Sequence, residues 1–257
     1  MKNSLRSLLV VVALGLSAGS ALGNEAGVKL DRAPDQSNNL AALQNGAKVF
    51  VNYCLNCHAA ASMRYNRLHD IGLSDEQIKA NLVFSGGKVG DLMTVALTPK
   101  DGKAFFGATP PDLSVIARAR SSGAGSGADY LYTYLRTFYR DASRPTGWNN
   151  RVVPNVAMPH VLWQLQGINE PKFVEKPDAH NPGKTVHEFE GFEEVSPGTQ
   201  SRLDYDRTVA DLVSFMSYMS EPAQTSRKQL GVWVLLFLGV LFIITWRLNA
   251  SFWKDVK

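Results

Sequence analysis

Apolar residues recur at three- and four-residue steps in several stretches of the 257-residue chain, a spacing typical of one face of an α-helix. The first such stretch starts at Leu40 and continues through Phe50 and Val51, so it predicts a helix that leads directly into Cys54. Ser74 starts a second helix in the pattern of a capping box. After the first helix, the pattern predicts a helix at residues 74–84 and another that follows residues 110–112 and ends at about 120. Two further helices are predicted at about 129–139 and at about 204–220.

The stretches between these helices show no strand-like alternation of apolar and polar residues. Residues 121–127 read SSGAGSG, which predicts a flexible connection, and a phosphate-binding loop is excluded because no strand precedes it and no Gly-Lys-Ser/Thr follows. Residues 140–182 are rich in Pro, Asn and Gly, so we expect a long irregular excursion with at most one short hairpin. The predicted fold class is therefore mostly α with long irregular loops.

The two ends of the chain carry patterns typical of export and of membrane insertion. Residues 1–23 combine a charged start, an apolar run at 8–16 and then a stretch of mainly small residues that ends in ALG at 21–23, which predicts a secretory signal peptide; an uncleaved N-terminal anchor is the alternative. Residues 230–246 are apolar and uncharged, and as a helix they rise about 25 Å, enough to span the hydrocarbon core of a bilayer. We predict a transmembrane anchor at 227–248, with a buried helix of a soluble domain as the alternative.

The formal net charge of +4 belongs to these ends, because residues 1–23 carry +2, residues 227–257 carry +4 and the middle is mildly acidic at about −2. The exported part therefore has no basic stripe, which excludes nucleic acid as a partner. We predict an exported domain at 24–226 and a cytoplasmic tail at 249–257. In a bacterial cell this places the protein in the inner membrane as a single-pass protein with its domain on the periplasmic side.

Residues 54–58 form a C-x-x-C-H motif, in which Cys54 and Cys57 are the only cysteines of the chain. Zinc is poorly supported because adjacent Cys57 and His58 do not readily point at one ion and no other thiolate exists. A thioredoxin-like dithiol expects a βαβ setting, whereas these neighbours are helical. Haem attachment explains every residue, since two thiols can bond the two vinyl groups and the next histidine can ligate the iron. We predict one covalently attached haem c.

A sixth iron ligand would complete the site, and Met158 is the preferred candidate. It lies in VVPNVAMPH, where Pro154 and Pro159 bracket a loop that could hold a thioether rigidly. His160 is its nearest rival; Met93 is possible, Met63 is too close to His58 along the chain, and Met216 and Met219 are expected to pack in the core. Because Met/His ligation fills both axial positions, it predicts an electron carrier, whereas an open position would predict a haem sensor or a peroxidase-like enzyme.

Arg120 is a candidate partner for the haem propionates, since a guanidinium forms a planar fork that suits a carboxylate. The alternative is a solvated arginine at the end of a helix. The acidic residues Glu188, Glu190, Glu193 and Glu194 form a second candidate, a surface that steers a cationic redox partner, with an ordinary solvated face as the alternative.

Taken together, the chain resembles the cytochrome c1 family, the membrane-anchored haem subunits of the ubiquinol–cytochrome c oxidoreductase (cytochrome bc1) complex. The resemblance rests on GAKVFVNYCLNCHAAASMRY, PPDLSVIARAR, VAMP and DRTVADLVSFMSYMSEP, followed directly by the apolar span. It implies a c-type cytochrome domain plus one C-terminal transmembrane helix. It also implies that Cys54 and Cys57 bind haem, that His58 and Met158 ligate the iron, and that Pro111, Arg120 and Tyr130 line the haem pocket.

The resemblance further implies a role in electron transport. A Rieske iron–sulfur subunit reduces the haem, the haem reduces a soluble or tethered cytochrome c, and cytochrome b and membrane lipid are further partners. The chain is then not catalytic alone but is a subunit of a quinol–cytochrome c reductase. The alternative is another membrane-tethered monohaem c-type cytochrome that serves an oxidase.

Overall fold

The computed structural model describes residues 27–84, 86–177 and 185–255. The chain divides into two compact units, one that ends at Ser220 and one that begins at Glu221. The predicted signal peptide at residues 1–23 lies outside the described residues. The mostly α prediction is confirmed, because helices are the main elements of both units.

The first unit contains seven α-helices and six strands among its described residues. The helices are α1 (Leu40–Val49), α2 (Asp75–Asn81), α3 (Pro99–Phe106), α4 (Ile116–Ala119), α5 (Gly127–Arg136), α6 (Trp163–Gln166) and α7 (Arg202–Ser220). The strands are β1 (Ala60–Arg64), β2 (Leu92–Met93), β3 (Phe138–Arg140), β4 (Trp148–Asn150), β5 (Gly167–Pro177) and β6 (Thr185–Pro197). They pair in chain order as three antiparallel two-stranded sheets. A 3₁₀-helix at Tyr65–Ile71 follows β1.

Helix α1 confirms the prediction of a helix that leads into the cysteines. Asn39 caps it by accepting a hydrogen bond from the Ala42 amide at 3.2 Å, and the helix continues as a π-helical turn at Phe50–Cys54. Such π turns interrupt α-helices rarely and are frequent at functional sites. Cys54 is thus the last residue of a continuous helical segment.

Helices α1 and α7 cross at close range and form the centre of the core. A Cβ atom at Gly46 would overlap the backbone carbonyl of Asp211, so only glycine allows this approach. Next to the crossing, the rings of Phe50 and Phe215 pack with their centroids 5.6 Å apart. The helix predicted at 204–220 is therefore confirmed, with its start at Arg202.

Helix α5 is tied to α7 by polar contacts at its C-terminal end. The Tyr205 hydroxyl donates to the Leu135 carbonyl at 2.8 Å, and Arg136 Nε donates to Asp206 Oδ1 at 2.6 Å. The helix predicted at 129–139 is too long, since it ends at Arg136 and the chain continues as β3.

The prediction of an irregular segment at residues 140–182 is partly wrong, because β5 and β6 form a hairpin of 11 and 13 residues. Its register shifts between Ile168 and Asn169 and again between Lys172 and Phe173. The extra residues, Val195 and Glu190, both lie on β6 and move the following side chains of that strand to the opposite face, so the alternation that would have predicted β6 is interrupted.

Local hydrogen bonds determine where the shorter helices begin and end. Ser74 and Gln77 form the predicted capping box, although α2 ends at Asn81 rather than at 84. The unpredicted helix α3 begins at Pro99 after Thr98, whose hydroxyl accepts from the Asp101 amide at 3.2 Å. The helix predicted to follow 110–112 shortens to the single turn α4, since residues 111–114 bond to another segment of the chain.

The glycine-rich segment 121–127 is an ordered turn rather than a flexible connection. Ser122 and Gly125 exchange backbone hydrogen bonds of 3.0 and 3.3 Å, and Ser126 forms a capping box with Asp129 at the start of α5. A Cβ atom at Gly127 would overlap the carbonyl of Ala117 in α4. The segment is glycine-rich because α4 and α5 meet there without room for a side chain.

The second unit consists mainly of α8 (Gln224–Phe252), which has 29 residues and a mean hydropathy of 2.2 in its most apolar window. Among the described residues it is the one helix long and apolar enough to cross a membrane, and none of that window is buried against the chain. It extends beyond both ends of the predicted anchor at 227–248. An apolar helix without protein cover fits a single transmembrane span.

We expect Gly127→Ala to lower the free energy of unfolding by about 1–3 kcal/mol, because the added methyl group must push α4 and α5 apart. Gly123→Ala is the matched control in the same turn, since a Cβ atom there meets nothing within 4 Å. It should change the free energy by less than about 0.5 kcal/mol. Chemical denaturation of the haem-loaded chain in detergent measures both, and equal effects would contradict this account of the turn.

Candidate functional site

The C-x-x-C-H segment forms a closed turn at the end of the helical segment that starts with α1. The amides of Cys57 and His58 both donate to the Cys54 carbonyl, at 3.1 and 2.9 Å. Cys54 is buried and Cys57 is partly exposed, and neither forms a disulfide. The turn places three chemically active side chains within five residues of rigid backbone.

His58 is oriented by Pro111, which lies 53 residues later in the chain. His58 Nδ1 is 2.7 Å from the Pro111 carbonyl oxygen. Because a carbonyl can only accept, Nδ1 carries the proton and Nε2 is left as a free lone pair. Burial lowers the pKa of His58, while the Pro111 hydrogen bond and nearby Asp112 oppose that shift. A neutral imidazole with a defined tautomer is the form that ligates a metal.

Three more hydrogen bonds join residues 59–62 to residues 112–114, and we call this set together with the His58–Pro111 bond the 58–114 clamp. They run from the Leu113 amide to the Ala59 carbonyl (2.8 Å), from the Ala61 amide to Asp112 Oδ2 (2.8 Å) and from the Ser62 amide to Ser114 Oγ (3.0 Å). Asp112 also accepts from the Ser114 amide at 2.8 Å. Burial raises the pKa of Asp112, but these hydrogen bonds outweigh it and bring the pKa below its usual value. The carboxylate is therefore held in its accepting form.

A mainly apolar cavity of about 250 Å³ opens beside this clamp. All seven residues that the sequence predicted for the site line it: Cys54, Cys57, His58, Pro111, Arg120, Tyr130 and Met158. They come from the α1 segment, the clamp, α4, α5 and the loop after β4. The chain thus brings together residues more than 100 positions apart around one cavity.

Only some of the candidate methionine ligands line this cavity. Met158 and Met216 line it, whereas Met63, Met93 and Met219 are buried in the core and are not part of its lining. Met216 belongs to the apolar face of α7, as expected for a packing residue.

His160 lies outside the cavity lining, although it is only two residues from Met158. Its ring is 2% exposed and stacks on Phe138 with the ring centroids 4.9 Å apart. Burial lowers the pKa of His160 to about 4, and the neighbouring Gln166 side chain opposes this shift. The ring is therefore a neutral part of the packing beneath the loop.

An aromatic pair on α5 forms one side of the cavity. The rings of Tyr130 and Tyr134 stack with centroids 6.0 Å apart, and the Arg120 guanidinium lies 5.2 Å from the Tyr130 centroid. The Tyr134 hydroxyl is 3.4 Å from the Met158 sulfur. Sequence reasoning missed Tyr134, although its position four residues after Tyr130 on a helix puts both on one face.

The residues present fit a covalently bound haem. One apolar cavity is lined by two cysteines, by an imidazole with a free Nε2 and by a methionine thioether. An arginine also lines it. Within the described ranges, no group of three or more His, Cys, Asp or Glu side chains is placed to hold a metal ion by itself, so zinc gains no support. Burial, with a contribution from Cys57, raises the pKa of Cys54 to about 12, whereas a redox dithiol needs a stabilised thiolate.

Two acidic residues of β6, Glu190 and Glu194, lie close to basic side chains. Glu190 pairs with Lys172 across the hairpin at 2.9 Å. Glu190 and Glu194 also border a polar cavity that contains Arg136, Arg151 and Arg202 and shares no lining residue with the cavity of Cys54 and His58. The hypothesis that this stretch steers a cationic partner stays a prediction.

Comparison with known proteins gives a family match over most of the chain. Residues 32–256 match the Cytochrome C1 family. The chain is similar to a protein named Ammonia monooxygenase gamma subunit from Nitrosomonas europaea, at 46% identity over 98% of each chain. It is also similar to Cytochrome c1 from Allochromatium vinosum, at 42% identity over 98% of this chain and 100% of that one, and to Cytochrome c1 from Rhodospirillum rubrum, at 28% identity over 100% and 98%.

Proposed function

The chain belongs to the cytochrome c1 family, the membrane-anchored electron-transfer subunits of the cytochrome bc1 complex that carry one covalent haem c, and we propose that it accepts one electron from the Rieske iron–sulfur protein and passes it to cytochrome c. The observation that carries this proposal is that His58 and Met158 line the same apolar cavity as Cys54 and Cys57. If both residues ligate the iron, no position is open to a small molecule, so the site would favour electron transfer over small-molecule chemistry.

Each residue of the site has a role in this proposal. Cys54 and Cys57 would hold the haem by thioether bonds, and His58 Nε2 and the Met158 sulfur would ligate its iron. When bound, the haem supplies a reversible one-electron couple at its iron. The His58–Pro111 hydrogen bond of 2.7 Å keeps the imidazole ring in its ligating orientation.

Arg120 is proposed as the partner of the haem propionates, and Tyr130 as a residue of the haem pocket. Both line the cavity, and the Arg120 guanidinium lies against the Tyr130 ring, 5.2 Å from its centroid. A carboxylate at the cavity edge would complete the hydrogen bonding of the guanidinium. Pro111 supplies the cavity wall next to His58 as well as its backbone carbonyl.

The membrane topology is part of the proposal. Residues 1–23 act as a signal peptide, residues 24–226 form the exported domain, 227–248 form the anchor and 249–257 remain in the cytoplasm. This places the haem domain on the periplasmic side of the inner membrane, next to cytochrome b, the Rieske subunit and lipid. The uncovered apolar surface of α8 and the basic residues that flank it support this arrangement.

We expect Met158→Leu to lower the midpoint potential sharply and to open an iron coordination site, because the leucine side chain fills the space but offers no ligand. Met216→Leu is the matched control, since Met216 lines the same cavity and the substitution is nearly volume-conserving. A spectroelectrochemical titration of both variants in detergent measures the potentials. An unchanged potential in Met158→Leu, or an equal fall in Met216→Leu, would contradict the proposed ligand.

The partners are tested by purifying the complex through an affinity tag on this chain from mild detergent extracts of its own membranes. We expect cytochrome b and a Rieske protein to co-purify, together with quinol–cytochrome c reductase activity. Recovery of oxidase or monooxygenase subunits in their place would contradict the proposal. That outcome would favour a tethered cytochrome that serves another enzyme, an alternative raised by the name of the relative from Nitrosomonas europaea.

A further inference from the structure

Tyr134 occupies a fixed place in the cavity wall. Its ring is stacked on Tyr130, with an angle of 8° between the ring planes, and meets Phe138 edge-on with centroids 5.1 Å apart. Tyr130, Tyr134 and Phe138 follow each other at four-residue steps, so α5 and the start of β3 present them as one column. The ring of Tyr134 is therefore held on both sides and its hydroxyl can point in few directions.

The hydroxyl of Tyr134 is directed at the sulfur of Met158, 3.4 Å away. A thioether has lone pairs but no proton, so the phenol is the donor and the sulfur the acceptor. Burial raises the pKa of Tyr134 above its usual value, so the phenol keeps its proton at neutral pH. This contact joins α5 to the loop that carries Met158 by a polar interaction inside an otherwise apolar cavity.

The loop itself is fastened to the same helix. Asn150 Nδ2 donates to the Tyr134 carbonyl at 2.8 Å, while Asn150 Oδ1 accepts from the amides of Val152 and Val153 at 2.8 and 3.2 Å. On the far side of Met158, the His160 ring stacks on Phe138 at an angle of 4°. Both flanks of Met158 are thus anchored to the column that contains Tyr134, which fixes the distance between hydroxyl and sulfur.

We propose that Tyr134 is a positioning residue for Met158, whose hydroxyl holds the thioether sulfur in place and withdraws electron density from it, and thereby raises the reduction potential of the site. This inference rests on the proposed function, in which Met158 is an axial ligand. One sulfur lone pair would then ligate the iron, while the second accepts from the Tyr134 hydroxyl. A sulfur that also accepts a hydrogen bond donates less to the iron, which disfavours the ferric state more than the ferrous state.

The expected size follows from the strength of one hydrogen bond. A net contribution of about 1 kcal/mol corresponds to about a fivefold change in the ratio of reduced to oxidised protein at a fixed solution potential. Sulfur is a weak acceptor, so we expect a change of about two- to fivefold. This is well below the loss of the ligand itself, so the two effects are separable.

The experiment uses Tyr134→Phe in the full-length haem-loaded chain in detergent. We expect the midpoint potential to fall, so that the ratio of reduced to oxidised protein at a fixed solution potential decreases about two- to fivefold. The long-wavelength absorption band of thioether-ligated ferric haem should persist at a shifted position. Tyr132→Phe is the matched control, because it removes a hydroxyl from the same helix at a side chain that faces Arg136 and does not line the cavity. A potential and band in Tyr134→Phe that equal those of Tyr132→Phe would overturn the proposal.

A second substitution keeps the proposal testable if Tyr134→Phe does not load haem. Site-specific 3-fluorotyrosine at position 134 retains the ring and makes its hydroxyl a stronger donor, so the potential should rise. A potential that is unchanged or lower would overturn the proposal. If only the role of Tyr134 is wrong, Met158→Leu still lowers the midpoint potential sharply. If the proposed ligation by Met158 is wrong, Met158→Leu leaves the midpoint potential unchanged as well, so the two failures are distinguishable.

Discussion

The hydrogen bond between His58 Nδ1 and the Pro111 carbonyl is the contact on which the site depends. It sets the tautomer of the imidazole and turns Nε2 toward the cavity, and it does so with a backbone atom that cannot rotate away. The other bonds of the 58–114 clamp join residues 59–62 to residues 112–114. The PPDLS sequence is therefore explained by its chemistry: Pro111 offers a carbonyl, and Asp112 and Ser114 offer side-chain acceptors to the amides after the C-x-x-C-H turn.

The clamp is held in place because helices pack closely at two other points of the scaffold. Gly46 lets α1 and α7 approach closely, which positions the helical segment that ends at Cys54. Gly127 lets α5 start directly against α4, which brings the Tyr130 face to the cavity. Both cysteines of the chain border the cavity, so no disulfide supports the fold and the covalent haem takes over part of that role. Packing, the clamp and the cofactor together determine the site.

Sequence reasoning predicted the features that depend on local order. The helix into Cys54 and the capping box of Ser74 follow from spacing within a few residues, and the apolar span at 230–246 follows from composition. The β5–β6 hairpin was missed because its two register shifts interrupt the alternation. The length of α4 was overestimated because bonds to residues 61 and 62 hold 112–114 out of helical geometry, and no local signal reports a contact 50 residues away. For the same reason Tyr134 was missed, since its role depends on which face of α5 meets the Met158 loop.

A redox-titrated visible spectrum of the detergent-solubilised full-length chain, recorded with and without carbon monoxide, tests the central claim most directly. The account predicts one covalently bound haem with a single one-electron transition, low-spin spectra in both oxidation states and a reduced spectrum that carbon monoxide does not change at neutral pH. A high-spin reduced spectrum that shifts on addition of carbon monoxide would show an open axial position, and would contradict the assignment of His58 and Met158 as a closed ligand pair.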